Sequence, residues 1–278
     1  MRDDLTIEEM RKWESLDISN AFIFYRVMRD NPERCCRLLQ RILPELDIKR
    51  VEFVDTEKSI DEAPNSRGVR LDAFAGDDEN RKYDIEMQVN NEDNIPKRSR
   101  YNQSMVDSQM LDKGAMYDEL PDSYVIFICK FDLFGRELYR YTFRNVCRED
   151  ESLELGDGAE KIFLNPKGTK GDISKELKAF LDLINGIHTE DSFVRELEDA
   201  VDIVKKSSEA RRAYMTWDMD IRVAARNAAS EAKMEEKQQM VARLLRQGKL
   251  SYDDISECTE LDLDKIRQIA NEIGLLTT

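Results

Sequence analysis

Gly68-Val69-Arg70-Leu71-Asp72-Ala73-Phe74-Ala75, a polar turn, and then Lys82-Tyr83-Asp84-Ile85-Glu86-Met87-Gln88-Val89-Asn90 form the stretch that decides the fold. Polarity alternates through both halves, the mark of half-buried strands. In the first, Val69, Leu71 and Ala73 share one face and Arg70, Asp72 and Phe74 the other. In the second, Tyr83, Ile85, Met87 and Val89 oppose Asp84, Glu86, Gln88 and Asn90. With the turn at 76–81 between them, the pair reads as a β-hairpin with a longer loop. If the strands pair antiparallel about Glu79, Asp72 stands directly opposite Glu86, with Cβ atoms about 4.5–5.5 Å apart. Two carboxylates that close repel unless one is protonated or a cation lies between them. Gln88 lies two residues on and shares the face. The arrangement offers a hard divalent-ion site built from oxygen, suited to Mg²⁺ or Mn²⁺. An alternating polar face is also the rule for a hairpin with one side in water, so pattern alone leaves both readings open.

Outward from the hairpin, the chain alternates helix and strand. Ser19 to Phe24 opens an amphipathic stretch, and Asn31-Pro32 starts a second helix, with Pro at the first helical position after an Asn cap. Residues 49–54 read as a strand. After the hairpin, residues 97–119 are helical up to an interruption at Gly114, and Ser123 to Phe131 is a nearly continuous apolar run, as for a strand buried on both faces. Residues 138–143 and 161–164 read as further short strands. A turn-rich loop at 165–171 precedes a helix capped by Asp172 or Ser174. From about residue 190 the chain is helical and charged. Residues 240–274 read as three helical pieces broken at Gly248 and near Thr259. The fold class is α/β, a mixed sheet flanked by helices with a helical C-terminal extension.

Composition narrows the chemistry. The 278 residues carry 43 Lys plus Arg against 58 Asp plus Glu, a net charge of −15. Wide-face nucleic-acid binding needs a basic surface, so any such contact must be local or lean on a divalent cation. The single histidine, His188, excludes multi-histidine metal sites and makes zinc a poor expectation. Five scattered cysteines without a CxxC point to free thiols in a reducing cytoplasm. No apolar run approaches the roughly 18–20 residues of a membrane span. The acidic, polar start does not read as a secretory signal.

Seven segments in order carry a resemblance: SNAFIFYRVM (19–28), GVRLDAFA (68–75), YDIEMQ (83–88), PKRSRYNQSMVD (96–107), SYVIFICKFDLFG (123–135), YTFRNVC (141–147) and IFLNPKGT (162–169). Over about residues 17–220 the chain resembles the PD-(D/E)XK nuclease superfamily, and within it the bacterial PD-(D/E)XK nuclease family transposases related to the Rpn-type recombination-promoting nucleases. The resemblance implies a restriction-endonuclease-like fold, divalent-metal hydrolysis of phosphodiesters, and DNA as partner. Asp72 carries over as a metal ligand and Glu86 as the second acid and ligand. Gln88 falls where many relatives have Lys, which orients or activates the attacking water. An amide can hold a water but cannot stabilise hydroxide as an ammonium does. That leaves the cation's role to a second metal, Lys97, Arg98 or Arg100. The implied organisation is a nuclease-like domain over 1–187, a charged helical segment over 188–239 and a small helical bundle over 240–278.

Lys97-Arg98-Ser99-Arg100-Tyr101 is the compact basic-aromatic cluster nearest the hairpin. On a helix, Lys97, Arg100 and Tyr101 share a face, where they could clamp phosphate or stack on a base. The plainer alternative is a basic first turn over a core tyrosine. Glu57 is a minor candidate for a further metal contact. Residues 251–278 hold seven acids and two bases, a poor match to a helix that reads DNA, and read instead as a packing or dimerising bundle. Cutting both strands takes two active sites, which a homodimer supplies. A retired catalytic face, with the protein working as a binding or assembly module through its helical C-terminal half, is the alternative function.

Overall fold

The computed structural model describes residues 6–54, 73–91, 94–111 and 114–274. Among them, six strands form one mixed sheet: β1 (Val51–Phe53), β2 (Ala73–Asp77), β3 (Lys82–Gln88), β4 (Ser123–Cys129), β5 (Arg140–Phe143) and β6 (Ala159–Leu164), in the order β1-β2-β3-β4-β6-β5. The first three strands run antiparallel in sequence, β3, β4 and β6 are parallel, and β5 returns antiparallel along β6. Parallel neighbours need long crossovers. The helix α4 (Ile95–Met110) lies in the first of these, between β3 and β4.

The hairpin has the register its sequence predicts. Ala73 pairs with Ile85, Phe74 with Asp84, Ala75 with Tyr83 and Gly76 with Lys82, a ladder centred on Glu79. The expected turn at 76–81 is shorter, because β2 runs on to Asp77. The buried Asp77 carboxylate closes the turn: Oδ1 accepts from the backbone N–H of Glu79 and Arg81 at 3.0 and 2.9 Å, and Oδ2 accepts from Arg81 Nε at 2.6 Å and the Tyr83 hydroxyl at 2.8 Å. Asn80 takes the left-handed conformation (φ 63°) that short polar side chains tolerate.

The apolar run at β4 is buried along its whole length. On one face Val125, Phe127 and Cys129 pack with Ile95, Tyr141 and Phe163. Tyr124 alternates to the other face and stacks on Tyr83 with ring centroids 5.3 Å apart. The helix α1 (Ile7–Glu14) is followed by α2 (Ala21–Arg29) and α3 (Pro32–Ile42), capped by Asn20 and by Asn31, the latter as its place before Pro32 foretells. The helix α2 packs on β2 and β3, and α3 on β1. Then α5 (Lys175–Ile184), capped by Ser174, and α6 (Ser192–Lys206), capped by Asp191, close the first compact unit, Met1–Arg211. Arg34 and Arg37 of α3 pair with Glu196 of α6, and Arg41 with its cap Asp191.

The second unit, Arg212–Thr278, takes in most of α7 (Ser208–Gln247) with α8 (Tyr252–Thr259) and α9 (Leu263–Glu272). Its core is Val241 and Leu245 against Ile255, Leu261, Ile266, Ile269 and Ala270. The breaks fall at Gly248 and at Glu260, both with positive φ. Every residue of α7 from Met219 to Glu236 is exposed. Among the described residues no helix is long and apolar enough to cross a membrane.

Candidate active site

The polar face of β3 is not wet. Asp84 and Glu86 are 0% exposed and Gln88 is 7% exposed, because α4 lies across them. The geometry follows from two repeats. Two residues of strand advance about 6.6 Å and four of helix about 6.0 Å. Two pairs of residues can therefore meet across an antiparallel helix and strand. Arg98 Nη2 stands 2.5 Å from Glu86 Oε2, and four residues on, Asn102 Nδ2 donates to Asp84 Oδ2 at 2.9 Å. One residue further, Gln103 Nε2 donates to Ser123 Oγ at 2.5 Å on β4. The helix thus turns a polar underside to the sheet, and Asn102 Oδ1 and Gln103 Oε1 are buried with no hydrogen-bond partner among the described residues.

Arg98 holds more than one group. Its Nη1 donates to Gln88 Oε1 at 3.1 Å, and its guanidinium lies over the Phe127 ring, 5.7 Å from the centroid. Gln88 Nε2 donates to the carbonyl of Asn90 at 2.8 Å, so the amide is fixed at both ends. Cys129 pairs with Gln88 in the ladder. Burial pushes its thiol up to about 12, which keeps it protonated at neutral pH. Lys130, just past β4, donates to Ser19 Oγ at 3.0 Å.

Of the residues singled out in the sequence, Glu86, Gln88 and Arg98 come together. Lys97, Arg100 and Tyr101 lie on the exposed side of α4, as their spacing implies, and Tyr101 is far from the core position considered for it. Asp72 and Glu57 lie outside the described residues. The described ladder stops at Ala73 and Ile85, one pair short of 72 and 86. Sequence reading passed over Asp84, Asn102 and Phe127. The signal was present: polar residues at 98 and 102 repeat with the helix as 86 and 84 repeat with the strand.

A divalent ion suits the donors as oxygen chemistry. Glu86 is a buried carboxylate already satisfied by a positive group. Among the described residues, however, no group of three or more His, Cys, Asp or Glu is placed to hold a metal. Were an ion held here, Glu86 would supply one oxygen, and the described residues would not complete the shell.

The mixed six-stranded sheet flanked by helices, with a helical C-terminal region, fits the α/β restriction-endonuclease-like class. A family model described as PD-(D/E)XK nuclease family transposase matches residues 27–242, and the chain belongs to that family. No curated protein and no solved structure matches it.

Proposed function

We propose that the chain is a metal-dependent endonuclease that hydrolyses DNA phosphodiester bonds in recombination or transposition. The observation that carries this reading is Glu86, a carboxylate with no exposure to water, fixed on the central strand beside Gln88. The sequence pattern offers Asp72 as its counterpart, and the described ladder, centred on Glu79, is consistent with that pairing. Asp72 and Glu86 hold the ion, Mg²⁺ or Mn²⁺. That ion supplies positive charge for the phosphoryl transition state and acidifies bound water. Gln88 orients the attacking water through its carbonyl oxygen. Lys97, Arg98 and Arg100 contact backbone phosphates, and Tyr101 offers a stacking face. All five cysteines are free, which suits a reducing cytoplasm. A homodimer provides two centres where both strands are cut.

A retired nuclease working through its C-terminal helices is favoured by one observation: Arg98 already satisfies Glu86 and Gln88. Plasmid cleavage and Mn²⁺ calorimetry separate the two readings. Wild type takes up Mn²⁺ and nicks plasmid; Asp72→Ala and the isosteric Glu86→Gln do neither while still melting cooperatively. Equal cleavage by wild type and variants, with no Mn²⁺ uptake, establishes the retired reading.

A further inference from the structure

Arg98 and a divalent ion want the same carboxylate. The Arg98 guanidinium lies beside Glu86, with Nη2 2.5 Å from Oε2, and Nη1 holds Gln88 at 3.1 Å. The two partners differ in exposure. The Glu86 side chain is 0% exposed and that of Arg98 is 32% exposed. The carboxylate is fixed on a central strand, whereas the guanidinium sits on a long side chain at the rim, resting on the Phe127 ring. An oxygen cannot give its full charge to both cations at once, so binding of one weakens the hold of the other.

We propose that Arg98 is a displaceable counter-ion, which couples metal uptake to DNA binding. This rests on the nuclease reading above. Without metal, the guanidinium neutralises Glu86. When a divalent ion takes Glu86, Arg98 swings outward beside Lys97 and Arg100, and its planar donors engage a phosphate oxygen of the DNA. Metal and DNA then favour each other through one side chain, and the coupling is reciprocal. No bond is made or broken in the exchange.

The test compares wild type, Arg98→Gln and Arg98→Lys by Mn²⁺ calorimetry without DNA, by thermal melting with and without Mn²⁺, and by affinity for a short duplex. Removing the competitor tightens Mn²⁺ binding in Arg98→Gln by about tenfold, a usual size for coupling between sites, and enlarges the rise in melting temperature that Mn²⁺ produces. Arg98→Lys keeps the charge but cannot bridge Glu86 and Gln88 together, and falls between. It is the deciding variant if Arg98→Gln does not melt cooperatively. In the same experiment, Mn²⁺ strengthens duplex binding by wild type and has little effect on Arg98→Gln. Unchanged or weaker Mn²⁺ binding in folded variants overturns the exchange while leaving the nuclease reading standing. Absence of Mn²⁺ binding in wild type and both variants overturns both.

Discussion

Asp77 does at residue scale what the apolar residues of a longer hairpin do collectively. Its carboxylate is 0% exposed and accepts from four donors, two on the backbone and two on Arg81 and Tyr83. Arg81 is itself 10% exposed at its side chain and also reaches the carbonyl of Asp47 at 3.2 Å. Burial, with the bond to Asp77 adding to it, pushes the Tyr83 phenol well above its ordinary range, so it remains a donor at any working pH. Truncation would leave a buried guanidinium and a buried hydroxyl without their acceptor. Breaking such a pair costs about 3–5 kcal/mol. Asp77→Ala is therefore expected to lower the unfolding free energy from urea melts by that amount, and a loss under about 1 kcal/mol would mean that water replaces the carboxylate.

At the scale of elements, what was legible followed local chemistry. The Asn31-Pro32 start, the Ser174 cap, the hairpin register and the buried β4 run all depend on a few adjacent residues, and each stands where the sequence puts it. Pattern alone leaves open what the polar face of β3 meets, because its cover comes from a different element. Alternation says which side chains share a face, but not what lies across it. The same holds for α6, whose contacts with α3 are separated by some 150 residues of chain. There Asp191 both caps α6, accepting from the N–H of Phe193 and Val194 at 3.0 Å, and pairs with Arg41 at 3.0 Å. Burial pushes its carboxyl upward, but the Val194 N–H, the Arg41 guanidinium and the Phe193 N–H outweigh burial and hold it below the ordinary value of 3.8. A carboxyl held low in the folded state contributes stability above the unfolded value, and loses it as pH falls through the folded one. Asp191→Ala is expected to cost about 1–2 kcal/mol near neutrality. Urea melts across pH should show the gap between variant and wild type closing in strong acid; a gap that persists there would assign the effect to packing.

For the whole molecule, charge decides how DNA can be held. A net −15 repels a polyanion, so affinity cannot come from a broad basic face as it does for most DNA-binding proteins. Among the described residues, α4 brings three cations toward the buried acid: Lys97 and Arg100, exposed, and Arg98 at its rim. Binding must therefore be a small number of phosphate contacts, set against a repulsive background that salt screens. These two effects have opposite salt dependence. Three contacts give a slope of log affinity against log salt of about −2.7, at about −0.9 per phosphate on duplex DNA, and screening of the acidic surface makes the measured slope shallower still. A duplex titrated in Mn²⁺ over a range of KCl is expected to give a slope between about −1 and −3. Lys97→Gln and Arg100→Gln should each flatten it by about one. A slope as steep as about −6 would require twice as many phosphate contacts as this end of α4 provides, and would move the DNA-binding face to another part of the molecule.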